Sequence, residues 1–264
     1  MSSDRCGNRF PVHMLHRLPR LILLCAPIAF VWALAAGTLQ SSTQQTAAPQ
    51  RILFIGNSLT YAQQGIFTHL QRMGETDRPP LRIQADKAVV GGQYLKTLFD
   101  RYPEPRQAIA RGYDVVVLQE DLPETTVADF REYARKFVAE IRKTGAKPVL
   151  LMAWAYKRLG WISMSEIANA HAQAAKELGV DVAPVGLAWE RAAKQRRDLS
   201  LLREDQEHPS IYGTYLATAV VYATVYGRSP ANVDYVPPGI SAEAASALRR
   251  IAWETVQEYR RQGR

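Results

Sequence analysis

Sulfur and histidine are scarce along this chain. Its two cysteines, Cys6 and Cys25, both precede residue 26. Residues 51–264 therefore carry neither a disulfide nor a thiol, which excludes a cysteine nucleophile and a cysteine-ligated metal. Three histidines, His69, His171 and His208, lie beyond residue 50. A strong charge of one sign is also lacking. The formal net charge is +8, but residues 1–50 hold four arginines against Asp4, leaving 29 basic and 24 acidic residues beyond them. The basic residues are scattered, and the densest group, Lys194, Arg196 and Arg197, suits a solvated helix face. No nucleic-acid partner is expected.

Long hydrophobic runs are confined to residues 21–36, which follow a basic segment and carry no charge. This is the layout of an export signal, with Ala33-Leu34-Ala35 as a small-x-small cleavage site. The run is short for a bilayer span of about 20 residues. We therefore expect residues 1–36 to be a signal peptide or an N-terminal membrane anchor, giving a periplasmic or secreted protein. Any membrane association would run through residues 21–36. Residues 37–50, rich in Ser, Thr, Gln and Ala, read as a flexible linker before a domain over residues 51–264.

That domain opens on an apolar run, Ile52 to Ile55, that reads as a buried strand and stops at Gly56-Asn57. A helix over Gln63–Met73 is expected to end at Gly74, and a second strand to run from Leu81 to Val90 into Gly91-Gly92. Val115-Val116-Val117 marks a central parallel strand that ends at Gln119-Glu120-Asp121. Val127, Phe130, Ala134, Phe137 and Ile141 give one apolar face to a helix expected over Pro123–Lys143. Further strands are expected over Lys147–Ala153 and Val180–Ala183. Further helices are expected over Ser163–Leu178, Ala188–Arg197, Pro209–Tyr226 and Ser241–Arg261. About five strands alternating with helices imply an α/β fold, a mostly parallel sheet covered on both faces.

Few residues suit catalysis. Ser58 stands in the first strand-to-helix loop, where such folds bind ligands, although a serine there also serves as a helix cap. His208 lies in the polar loop Asp205-Gln206-Glu207-His208-Pro209-Ser210. The three-residue spacing lets the Asp205 carboxylate reach one imidazole nitrogen and leaves the other to take a hydroxyl proton. His69 and His171 fit structural roles. Gly91-Gly92 is a tight turn or a close backbone approach to a ligand. Gln119, at a strand end, offers an amide to developing negative charge or simply faces solvent. Trp154, Tyr156 and Trp161 surround another strand end, as core or as pocket wall.

The ordered pieces Gly56-Asn57-Ser58-Leu59-Thr60, Gly91-Gly92, Gln119 and Asp205-x-x-His208 resemble the SGNH, or GDSL-type, hydrolase superfamily over nearly all of residues 51–226. The resemblance implies a three-layer α/β/α sandwich and an ester hydrolase. It implies Ser58 as nucleophile, His208 as base and Asp205 as its orienting acid. An oxyanion hole would come from Ser58, Gly92 and Gln119. Asn57 stands where the family usually has aspartate, and Gln119 where it usually has asparagine. Asn57 and Trp154 are expected to face the substrate, a small-molecule or carbohydrate ester. No cofactor and no metal is expected: Glu120, Asp121 and Glu124 have no accompanying histidine and read as helix-start acidity. An O-acyltransferase on the same triad and a non-catalytic glycan-binding domain are the alternatives. The Gly-x-Ser-x-Gly elbow of α/β-hydrolases is absent.

Overall fold

The computed structural model describes residues 48, 50–156 and 159–263. The leader expected over residues 1–36 lies outside them, as does the linker apart from residues 48 and 50.

The first strand, β1 (Arg51–Gly56), is buried from Ile52 onward because it is paired on both sides and covered on both faces. A four-residue helix, α1 (Ser58–Tyr61), follows at once. Gln63 and Gln64 then take positive φ angles, 53° and 70°, and break the chain before α2 (Gly65–Thr76). Next come β2 (Gln84–Val89), α3 (Leu95–Arg101), α4 (Glu104–Ile109) and β3 (Val115–Glu120). The second half continues through α5 (Val127–Lys143), β4 (Lys147–Met152), α6 (Met164–Leu178), β5 (Asp181–Ala183), α7 (Val185–Gln195), α8 (Ile211–Tyr226) and α9 (Ala242–Arg261).

Five strands form one parallel sheet in the order β2-β1-β3-β4-β5. Successive side chains of a strand point to opposite faces, and each face has its own core. Ile52 and Phe54 pack with α2, α7, α8 and α9 on one side. Leu53 and Ile55 pack with α3, α4, α5 and α6 on the other. Three layers result, as the strand–helix alternation leads one to expect. From β1 the chain moves outward to β2, then returns past β1 to β3. The carboxyl ends of β1 and β3 thus flank the point where the winding reverses, the usual ligand crevice of an open α/β sheet.

Element ends differ from the sequence reading in several places, three of them with a visible cause. Helix α2 passes through Gly74 to Thr76, because Gly74 faces inward against Ile83 and the Leu81 carbonyl. Its own carbonyl takes the Leu81 N–H at 2.9 Å, so the chain over 81–83 lies on the helix and β2 starts only at Gln84. The helix expected from Pro123 starts at Val127, behind a 3₁₀ turn at Leu122–Glu124 and a Thr126 cap that accepts from Asp129. No helix among the described residues is long and apolar enough to cross a membrane.

Candidate active site

The end of β1 turns sharply at Asn57. Its side-chain oxygen accepts the Leu59 N–H at 3.0 Å and caps α1, leaving Ser58 as the first helical residue. Ser58 Oγ lies 2.9 Å from His208 Nε2, across 150 residues of sequence. His208 Nδ1 is 3.2 Å from Asp205 Oδ2. A carboxylate only accepts, so Nδ1 carries the proton and Nε2 presents a lone pair to the serine hydroxyl.

The loop holding Asp205 and His208 is built to keep this spacing. Asp205 Oδ1 accepts the N–H groups of Glu207 at 3.0 Å and His208 at 2.8 Å, a local side-chain turn. Burial pushes the Asp205 carboxyl up, but those two N–H donors and the His208 ring together hold it below its ordinary value. An isolated bridge between Leu202 and Pro209 closes the loop, with Arg203 N–H on the His208 carbonyl at 2.9 Å. Ser210 then caps α8. The site is open to water: the His208 side chain is 27% exposed and that of Asp205 42%.

Beneath Ser58 the structure departs from expectation. Asn57 is 2% exposed and turned away from any substrate. Its Nδ2 donates to Asp121 Oδ2 at 2.9 Å, and Asp121 Oδ1 accepts from the buried Tyr156 hydroxyl at 2.9 Å. Gln119 is also 2% exposed. Its carbonyl oxygen accepts from the Asn57 N–H at 2.9 Å and the Thr60 hydroxyl at 3.0 Å. Its amide nitrogen is buried without a partner among the described residues. Through its carbonyl oxygen Gln119 supports the serine turn from below. Trp154 is likewise 2% exposed. Its ring stacks on Trp189 at 3.7 Å between centroids, and its N–H donates to the Glu207 carbonyl at 3.0 Å. It braces the histidine loop. Of the aromatics near this strand end, Trp161 is the exposed one, at 55%.

Gly92 occupies the turn after β2, next to β1 in the sheet. No acceptor among the described residues pairs with the N–H of Ser58 or of Gly92. His69 bonds Tyr235 and the Gln63 carbonyl, and burial lowers its pKa. His171 is buried against Phe130, with its Nδ1 on the Ile167 carbonyl. No cluster of three metal-ligating side chains occurs among the described residues.

Two carboxylates at the end of β3 escaped the sequence reading as core groups. Glu120 is buried, its oxygens accepting from Leu95 N–H at 3.3 Å and Asp121 N–H at 3.0 Å. Burial pushes its carboxyl up to about 8, against the pull of those donors. Burial pushes Asp121 up to about 6, again against the bonds from Asn57 and Tyr156. The available signal was two acids one residue beyond the apolar run Val115 to Leu118. A carboxyl whose folded pKa is raised stabilises the fold below its unfolded pKa and loses that contribution as pH rises through the folded value. For Glu120 the window is 4.5 to about 8. His171, held by burial at about 4 instead of 6.5, acts in the opposite sense up to its unfolded value. Above pH 6.5 Glu120 dominates, with Asp121 adding to it and the titration tails of the buried His69 and His171 partly offsetting it, so stability is expected to fall by about 1 kcal/mol between pH 6.5 and 8. Urea midpoints across that window test this. Glu120→Gln, whose side chain does not titrate, should flatten the slope, and an unchanged slope refutes the assignment.

No family model and no curated protein matches the chain. Solved structures do. A DUF4886 family protein from Bacteroides uniformis superposes with a TM-score of 0.67 at 18% identity, over 79% of this chain and 95% of that one. A protein from Slackia heliotrinireducens, assigned to the SGNH hydrolases, gives 0.55 at 28% identity, over 66% and 98%. An acetylxylan esterase from Geobacillus stearothermophilus gives 0.55 at 16%, over 67% and 94%.

Proposed function

We propose that this chain, which has the fold of the SGNH hydrolase superfamily, is an exported serine ester hydrolase working through an acyl-enzyme. The observation that carries the proposal is the relay from Ser58 Oγ to His208 Nε2 at 2.9 Å and from His208 Nδ1 to Asp205 at 3.2 Å. His208 takes the Ser58 proton as Oγ bonds to the ester carbonyl carbon. The carbonyl oxygen becomes an oxyanion, received by the N–H groups of Ser58 and Gly92. Collapse breaks the bond to the alcohol oxygen, and the alcohol leaves with the proton from His208. A water then gives His208 a proton, attacks the acyl carbon and releases the carboxylic acid, restoring Ser58.

The substrate in this reading is a short acyl ester or an acetylated carbohydrate. Tyr61, in the helix that begins at Ser58, is exposed and lies against Gly91, giving the rim an apolar ring on which a sugar face can rest. The acetylxylan esterase among the structural neighbours fits that substrate class. The exposure of Asp205 and His208 favours water as the acyl acceptor over a second sugar. A fluorophosphonate probe should label the protein once, at Ser58 by peptide mapping. Acetylated xylooligosaccharide should release free acetate. A folded protein that takes no label would be a non-catalytic binding domain, and transfer of acetyl to an added sugar would make it a transferase.

A further inference from the structure

We propose that Asn57 and Asp121 form a matched donor–acceptor pair that positions Ser58, so that position 57 must supply a donor as long as position 121 is a carboxylate. The inference rests on the esterase reading for its kinetics and on the hydrogen bonds alone for its chemistry. Ser58 is anchored from both flanks by the end of β3. Before it, the Asn57 N–H is held by Gln119 Oε1. After it, the Thr60 hydroxyl is held by the same oxygen, and the Leu59 N–H by Asn57 Oδ1. Asn57 in turn is fixed by one bond, from Nδ2 to Asp121 Oδ2 at 2.9 Å. Since Oδ1 is committed to Leu59, the amide cannot flip without losing the cap.

Asp121 is an acceptor on both oxygens, and the groups acting on it among the described residues add no positive charge. The titratable groups acting on it are Tyr156, Glu124 and Glu207, with Glu120 adjacent in sequence and His208 one bond beyond Ser58. Aspartate at position 57 would keep the cap on Leu59 but set a second carboxylate oxygen against Asp121 Oδ2 in a buried site. The two would have to share a proton. Exchanging the residues resolves this. With the carboxylate at position 57 and the amide at position 121, the amide nitrogen donates across the pair and the amide oxygen accepts from Tyr156, so every polar atom keeps a partner.

The test is a four-protein cycle of wild type, Asn57→Asp, Asp121→Asn and the double exchange, assayed on a short acyl ester and by thermal melting. Asn57→Asp should lower kcat at pH 8 by about 10- to 100-fold, with KM changed by less than about threefold. Its activity relative to wild type should rise as pH falls and the shared proton is bound. Asp121→Asn should stay within about threefold of wild type, because an amide there can accept from Asn57 and donate to the Tyr156 oxygen. The double exchange should return to within about threefold in kcat and recover the melting temperature lost by Asn57→Asp. Equal activity of Asn57→Asp and wild type at pH 8, or no recovery in the double exchange, overturns the pairing. If wild type neither hydrolyses esters nor takes a fluorophosphonate label, the esterase reading fails instead. The melting cycle then decides the pairing by itself.

Discussion

Alanine in place of Ser58 is expected to lower kcat/KM for a short acyl ester by about four orders of magnitude or more. In the proposed mechanism the residual rate would come from binding and from the backbone N–H donors at positions 58 and 92, which the substitution leaves in place. Folding should be nearly untouched. The bond lost is the one from Ser58 Oγ to His208, whose side chain is partly exposed and can turn to water. Such a bond contributes about 1 kcal/mol, which is about 2–4 °C in melting temperature at this size. A large loss of activity at a small loss of stability separates a nucleophile from a helix cap, because the cap here belongs to Asn57. A variant that kept a tenth of wild-type activity would place the chemistry elsewhere.

Gly56→Ala carries the second large effect, and it works through packing. A methyl group at Gly56 would stand 2.5 Å from Gln119 Oε1, 2.8 Å from Thr60 Oγ1 and 2.9 Å from Gln119 Cβ. Gln119 cannot yield, since Oε1 is the oxygen that holds the Asn57 N–H and the Thr60 hydroxyl. The strand end must move, and it is buried between β2 and β3. Overpacking of this kind costs about 3 kcal/mol, or about 6–12 °C in melting temperature. Turnover should fall with it, because the displaced residues carry Ser58. Melting within about 2 °C of wild type, with unchanged kcat, would show that the turn is softer than the distances imply.

The layer order and most elements could be read from the residues. Apolar runs without alternation, as in Val115 to Leu118, mark strands buried on both faces, and glycines such as Gly179 mark where helices stop. The Asp205–His208 relation was legible for a local reason: three residues in one turn confine the carboxylate and the ring to a small volume. What escaped the sequence is the direction of side chains at the strand ends. Gln119, at the end of β3, lies over Gly56 because β1 and β3 pair Ile55 with Leu118. That register is a property of two strands and is written in neither. Asn57 follows Gly56 and inherits the same placement, and Trp154 is turned inward by Trp189, a residue 35 positions later. Glu120 and Asp121 looked like the acidic start of a helix, but that helix begins further on, at Val127.

Ser58 and His208 meet across 150 residues in a chain whose described strands form a wholly parallel sheet. Parallel pairing and long sequence separation make such contacts late and slow to form. The Arg203–His208 loop is brought to β1 as α8, which follows it, packs into the core. Regained catalysis during refolding therefore measures closure of this long-range contact, which helix signal does not.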